Sequence, residues 1–290
     1  MKIIKVLMVV MCLGVIAGCR QQTSKSVKKQ AQVTQTKKVN KTPQKKSVPT
    51  LFVHGLQGSH KSTDGMISRL EQRVGVKKVL TINVDSNGNL QVEGKYQQVR
   101  HPLIQVNFLN NVADTATNAL WLTKVLTYVK DDLKVIHVNL VGHSAGNLAI
   151  FQSLCQNNNL PKVDHYVSLA GPFDGVITMN DTANANQVDK QGKPQIYYPA
   201  NDYYPSYQEL LNQAASFPKK TKVLLIYGNL EDGSNSDTLV SEASALSLKY
   251  LLKNNPLTVK CLKGSEATHS GLHESRKVDL WIADFLGFKA

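Results

Sequence analysis

The stretch Val135–Ile150 constrains this chain more than any other; it reads Val-Ile-His-Val-Asn-Leu-Val-Gly-His-Ser-Ala-Gly-Asn-Leu-Ala-Ile. Val135–Val141 is rich in branched apolar residues, the composition of a strand buried on both faces. From Ala145 onward, small and apolar residues recur at helical spacing. Between the two halves stands Gly142-His143-Ser144-Ala145-Gly146. A serine that leaves a strand and meets solvent at once needs a strained backbone there. Flanking glycines remove the Cβ atoms that would clash where strand and helix cross. The following helix aims its N-terminus at Ser144, where amide donors and the dipole favour negative charge. The spacing predicts a reactive hydroxyl on a strand-to-helix turn. The plainer alternative is a tight turn whose serine only caps the helix.

This pattern, a full G-x-S-x-G between a buried strand and a helix, resembles the nucleophile elbow of the α/β-hydrolase superfamily. A second resemblance lies upstream. Pro49–His54 is an apolar strand running into Gly55, similar to the His-Gly strand-to-loop junction of lipase-like members. The resemblance implies that the loop after it donates one backbone N–H to an oxyanion hole, at Leu56, with Gln57 able to share the role. The other donor would be the N–H of Ala145, directly after the serine. Gly55–Ser62 also nearly spells a phosphate-binding loop, but the glycine needed before Lys61 is replaced by His60. A Cβ there blocks the backbone from wrapping phosphate.

The front of the chain reads as an address. Lys2 and Lys5 precede an apolar run, Val6–Ala17, that is too short to span a bilayer. It ends in Ile16-Ala17-Gly18-Cys19, which looks like a bacterial lipobox. The expected mature protein therefore loses residues 1–18 and carries a diacylglycerol on Cys19. The alternative is an ordinary secreted protein cleaved nearby. Residues 19–47 are mostly Gln, Lys, Ser, Thr and Val with no aromatic. Such a segment buries too little surface to offset its chain entropy, so it reads as a disordered tether with a reach of roughly 30 Å.

The formal charge of +13 belongs almost entirely to that front end. The first 47 residues hold 11 of the 34 Lys and Arg and none of the 21 Asp and Glu, so the rest is close to neutral. A nucleic-acid groove is not indicated. A basic tether on a lipid anchor suits contact with anionic lipid or wall polymer, although solubility alone also explains it. Of the four cysteines, Cys12 falls in the signal and Cys19 is the lipid site. Cys155 and Cys261 remain; both read as small buried residues, with a bond between them as the alternative.

Residues 48–290 form the expected globular domain. A short amphipathic helix is predicted over 65–74. Strands are predicted over 77–84, 90–93 and 103–108, grouped as an antiparallel extension at one sheet edge. A helix is predicted over 112–133. From there strands and helices alternate, which implies a mostly parallel central sheet with helices on both faces. After the strand 163–170, residues 174–220 are rich in Asn, Gln, Pro and Tyr with one helical patch, Ser206–Ala215. By resemblance this is a cap-like insertion. Its tyrosines Tyr197, Tyr198, Tyr203, Tyr204 and Tyr207 either line a cleft or pack the loop to the body.

Two further roles follow from the resemblance. The acid of a triad comes in the loop after the strand 222–227, where Glu231, Asp232 and Asp237 stand. Asp237-Thr-Leu-Val240 is similar to the family's Asp-x-x-Val, so Asp237 is preferred and Asp232 is the alternate. The three acids lack the regular spacing of a calcium loop. A helix is predicted over 240–252 and a strand over 257–262. Then His269-Ser-Gly-Leu272, ahead of an amphipathic helix, 278–286, matches the family's His-x-Gly-Leu context, with His273 as the alternate base. His143 reads as a packing neighbour, and His101, His137 and His165 as structural.

The order Ser144, Asp237, His269 is that of the α/β-hydrolase triad. The resemblance is strongest to lipase- and esterase-like cell-surface hydrolases of Gram-positive bacteria. It implies a serine hydrolase acting on a small-molecule or lipid carboxylic ester through an acyl-serine, with no cofactor and no metal. Asn147 departs from the family pattern, where many lipases have a further glycine. Other readings are a non-catalytic surface-binding module on the same scaffold, or an acyltransferase or peptidase using the same triad.

Overall fold

The computed structural model describes residues 47–290. The expected signal peptide 1–18, the lipid-bearing Cys19 and all of the tether before Ser47 lie outside the described residues. Among the described residues eight strands form one sheet. In chain order they are β1 (Thr50–Val53), β2 (Val76–Val84), β3 (Leu90–Gly94), β4 (His101–Phe108), β5 (His137–His143), β6 (Lys162–Leu169), β7 (Lys222–Asn229) and β8 (Leu257–Lys263). Their spatial order is β3-β2-β4-β1-β5-β6-β7-β8.

Every neighbouring pair is parallel except β2 with β3. The edge hairpin of β2 and β3 is antiparallel as expected, whereas β4, expected in the same antiparallel extension, is parallel to both of its neighbours. The Asp85–Asn89 turn, with Gly88 at φ +75°, folds β3 back on β2. The chain then returns to the start of β2, where His101 pairs with Val76, and runs β4 parallel between β2 and β1. β4 is buried along almost its whole length, whereas β3 is exposed and carries Gln91 and Glu93 at the open edge, polar residues that discourage edge pairing.

The helices are α1 (Lys61–Leu70), α2 (Thr115–Asp131), α3 (Gly146–Gln156), α4 (Tyr207–Gln213), α5 (Glu242–Leu246), α6 (Leu248–Leu251), α7 (Gly271–Glu274) and α8 (Arg276–Leu286). Strand alternation divides the core in two. Leu51, Val53, Val138 and Leu140 pack with Leu122, Val125, Leu148 and Phe151 of α2 and α3. Phe52, Val141, Val167 and Leu169 face the other way, onto Met66, Ile67, Val278 and Ile282 of α1 and α8. Side chains of successive strand residues point to opposite faces, so adjacent apolar residues such as Leu140 and Val141 supply both layers at once.

Two helices differ from expectation. α1 begins at Lys61 and ends at Leu70, ahead of a turn into Gly75 at φ +75°. The helix expected over 240–252 is split at Ser247 into α5 and α6. Ser247 Oγ donates to the Ser244 carbonyl at 2.7 Å, the kind of back-bonding that bends helices.

Residues 174–220, expected as a cap-like insertion, are mostly irregular. α4 begins with a full capping box between Ser206 and Glu209. Tyr207 is buried and donates to the Ser247 carbonyl at 3.1 Å; Tyr204 is also buried. These two tyrosines pack this segment to the body. Cys155 is buried and Cys261 half-buried, and both are free thiols.

Candidate active site

Half-buried Ser144 directly follows β5 at φ +54°, the left-handed conformation of a sharp strand-to-helix corner. Its N–H donates to the Leu169 carbonyl at 2.9 Å, tying the turn to β6. The glycines have measurable reasons. A Cβ on Gly146 would stand 2.6 Å from the carbonyl oxygens of both Val53 and His54, so glycine lets α3 close on β1. A Cβ on Gly142 would stand 2.5 Å from Asn147 Oδ1.

The loop after β1 lies on the serine. A Cβ on Gly55 would be 2.6 Å from Ser144 Cβ and 3.0 Å from the Ala145 nitrogen. His54 braces this loop from inside. Its Nε2 accepts the Phe108 N–H at 3.0 Å and its Nδ1 bonds the Gly55 carbonyl at 2.9 Å. Burial lowers its pKa, and accepting at Nε2 also requires the neutral ring. The Gln57 N–H is spent on the Asn111 carbonyl at 2.6 Å. Among the described residues, the Leu56 and Ala145 N–H groups have no hydrogen-bond acceptor in the protein. Two free amide donors therefore flank the serine corner, and Gln57 does not supply one.

Asp237 and His269 meet although 32 positions separate them. Asp237 Oδ2 is 2.8 Å from His269 Nδ1, with Asp237 1% exposed. Its other oxygen accepts the Leu239 and Val240 N–H groups at 3.0 and 2.7 Å. The tight turn that supplies them has Thr238 at φ +90°. Gly228, at the end of β7, leaves room for this packing, since a Cβ there would be 2.3 Å from the Ala267 carbonyl and 3.0 Å from Asp237 Cβ. Asp232 lies elsewhere, exposed and bonded to the Ser234 N–H at 2.9 Å. That bonding to Ser234 holds its pKa below the usual value.

The histidine loop is fastened to the elbow by His143. Its Nε2 donates to the His269 carbonyl at 3.1 Å, and its ring packs on those of His269 and His273 with centroids 4.8 Å apart in each case. Burial holds the His143 pKa well below its ordinary value, and the two neighbouring histidines add to that. His273 bonds Glu274 at 3.0 Å rather than Asp237. His137 pairs with Asp164, His165 with Asn139, and His101 packs on Phe288.

Two residues carried no usable signal in the sequence. Arg69 of α1 donates to the His273 carbonyl at 2.7 Å and to Glu274 at 3.0 Å, and pairs with Asp279 of α8, so it braces the segment that follows His269. Its partners are more than 200 positions away, beyond any local pattern. Asn147 was visible only as a departure from the family motif. It is fully buried and bonds the elbow from behind. Among the described residues, no cluster of three or more His, Cys, Asp or Glu side chains is arranged to hold a metal ion.

Comparison with known proteins agrees with this architecture. Residues 35–288 match the family model described as "Alpha/beta hydrolase of unknown function (DUF915)". A Listeria innocua gene product of known crystal structure is 23% identical, with a TM-score of 0.72 over 84% of this chain and 96% of that one. A candidate cell surface hydrolase from Lactobacillus plantarum is 18% identical, with a TM-score of 0.66 over 85% and 94%. The mature form of a Bacillus licheniformis lipase is 18% identical, with a TM-score of 0.51 over 85% and 92%. At these identities the likeness is one of fold. No match is found among curated proteins.

Proposed function

The chain belongs to this family of α/β hydrolases, and from that premise we propose that it is a serine hydrolase cleaving carboxylic esters, tethered to the outer face of the cell membrane by a lipid on Cys19. One observation carries the catalytic part: the buried Asp237–His269 pair sits against the elbow that presents Ser144, beside two unpaired amides. The lipase among the structural neighbours supports ester chemistry by analogy of fold. The surface location is supported by the sequence of the front end.

In the proposed mechanism Ser144 Oγ attacks the ester carbonyl while His269 Nε2 takes its proton. His269 then hands that proton to the leaving alkoxide. Asp237 Oδ2 holds Nδ1–H, fixes the tautomer and stabilises the imidazolium. The Leu56 and Ala145 amides receive the oxyanion, each such donor being worth about 3–4 kcal/mol in the transition state. Water then attacks the acyl-serine by the same route in reverse.

The test is labelling of the purified protein with a fluorophosphonate, with Ser144→Ala as control. Wild type should label and the variant should not. An unlabelled wild type would leave the non-catalytic binding module as the surviving reading. Hydrolysis of p-nitrophenyl esters of graded chain length then separates esterase from lipase, and failure on esters with turnover of amides would make it a peptidase. Incorporation of labelled palmitate, abolished in Cys19→Ala, tests the anchor.

A further inference from the structure

We infer that Asn147 is a positioning residue for the oxyanion: its side chain grips the carbonyl of the Ser144–Ala145 peptide and thereby aims the Ala145 N–H at the reacting centre. The inference rests on the hydrolase reading above and deepens it.

Asn147 Nδ2 donates to the Ser144 carbonyl at 3.0 Å, as a second donor beside the Asn147 main-chain N–H on the same oxygen at 3.0 Å, and to the Leu169 carbonyl at 2.9 Å. Its Oδ1 accepts the Tyr166 hydroxyl at 2.9 Å. The orientation of the amide follows from these partners, because a flip would press Oδ1 against two carbonyl oxygens. The Leu169 carbonyl also takes the Ser144 N–H at 2.9 Å, so one side chain clamps both sides of the strained residue. The peptide between Ser144 and Ala145 is planar, with C=O and N–H pointing opposite ways. The main-chain bond from the Asn147 N–H anchors its oxygen at one point, and the second, side-chain bond stops the peptide from pivoting about it, which fixes the direction of its N–H in front. A hydrogen bond accepted by a carbonyl also polarises the same peptide and strengthens its N–H as a donor. Tyr166 is wholly buried and keeps Asn147 from turning. Gly142 makes the space, since a Cβ there would stand 2.5 Å from Asn147 Oδ1. The first glycine of the elbow motif is in this chain a seat for Asn147.

The experiment compares wild type with Asn147→Leu, Asn147→Ser and Tyr166→Phe. It measures kcat and KM on a p-nitrophenyl ester, affinity for an alkyl boronic acid that forms a tetrahedral serine adduct, and the Ala145 amide resonance by NMR. Loss of a direct oxyanion donor costs on the order of 10²–10³ in kcat. Asn147→Leu should therefore lose about 10- to 100-fold in kcat, with KM within about twofold and boronate affinity falling in parallel. Asn147→Ser, which donates a single hydrogen, should fall between the two and serves if the leucine variant does not fold. Tyr166→Phe should lose less than about tenfold. The Ala145 resonance should move in each Asn147 variant. Unchanged kcat and boronate affinity in the folded Asn147 variants would overturn the inference, as would a rise in KM alone. If wild type neither turns over esters nor binds the boronate, the hydrolase reading fails instead. The Ala145 resonance then decides this inference by itself, and an unmoved signal overturns it.

Discussion

Asp237 and His269 are joined twice, side chain to side chain and main chain to main chain. Oδ2 lies 2.8 Å from Nδ1, and the His269 N–H donates to the Asp237 carbonyl at 2.7 Å. The second bond sets the distance between the two backbones, so the imidazole reaches the carboxylate without freedom to drift. With His143 holding the His269 carbonyl, both polar groups of that peptide's residue are occupied. An orientation this constrained suits a base that must meet one hydroxyl repeatedly.

The first expectation separates the acids. Asp237→Asn should lower kcat by about 10⁴, the cost of the wrong imidazole tautomer in a serine triad. Asp232→Asn, on an exposed side chain bonded only within its own loop, should leave ester turnover within about twofold, since surface changes of this kind rarely matter. Steady-state kinetics on a p-nitrophenyl ester read both. The reverse ranking would move the acid to 232.

A parallel pair distinguishes the histidines. His269→Ala should abolish fluorophosphonate labelling at the rate measured for wild type, whereas His273→Ala should still label. His273 is bonded to Glu274 and packed on His143, so its loss should appear as reduced thermal stability. Equal labelling by His269→Ala and wild type would remove His269 from the mechanism.

Gly146→Ala tests the closeness of α3 to β1. The added methyl meets the Val53 and His54 carbonyl oxygens at 2.6 Å, and backbone does not yield as a side-chain end would. Overpacking of this kind costs about 1–3 kcal/mol or more. In a domain of this size that corresponds to a melting temperature lowered by roughly 2–12 °C. A variant as stable as wild type would mean that the helix stands further from the strand.

Asp174 gives the fold a pH signature. Burial pushes its pKa up to about 7, with nearby Asp181 adding to the rise, against the bonds from the Tyr198 N–H and Asn186. An unfolded aspartate releases its proton near pH ~4. Between about pH 4 and 7 the folded protein thus holds a proton that the unfolded chain has lost, and this group's contribution to stability falls as pH rises through that window. Urea unfolding of wild type and Asp174→Asn from pH 4.5 to 8 should show wild type losing ground to the variant up to about pH 7 and no further change above it. A constant difference would show that Asp174 is ionised throughout.

Much of the scaffold is readable residue by residue. Val138 and Leu140 face one core and Val141 the other, so this stretch must lie inside a sheet with cover on both faces. Ser144 between two glycines at a strand end can only be a corner. The antiparallel pairing of β2 and β3 is legible in the Asp85–Asn89 turn, but the direction of β4 is not, because β2, β3 and β4 look alike locally. Direction depends on where the chain goes after Gly94, and no single strand records that. The split at Ser247 escaped for a related reason: its hydroxyl bonds a carbonyl that periodicity does not see.

The elbow, the alternation of strand and helix, and a short set of acids and histidines are all legible along the chain. Those properties follow from local backbone preference and from which side chains avoid water. That Asp237 rather than Asp232 lies against an imidazole, that the imidazole is His269, that the Gln57 amide is already spent, and that Arg69 and Asn147 hold the surroundings in place emerge with the folded chain alone. Each of these is a contact between groups brought close by the path of the sheet, and its energy depends on distances across space that spacing along the chain does not encode.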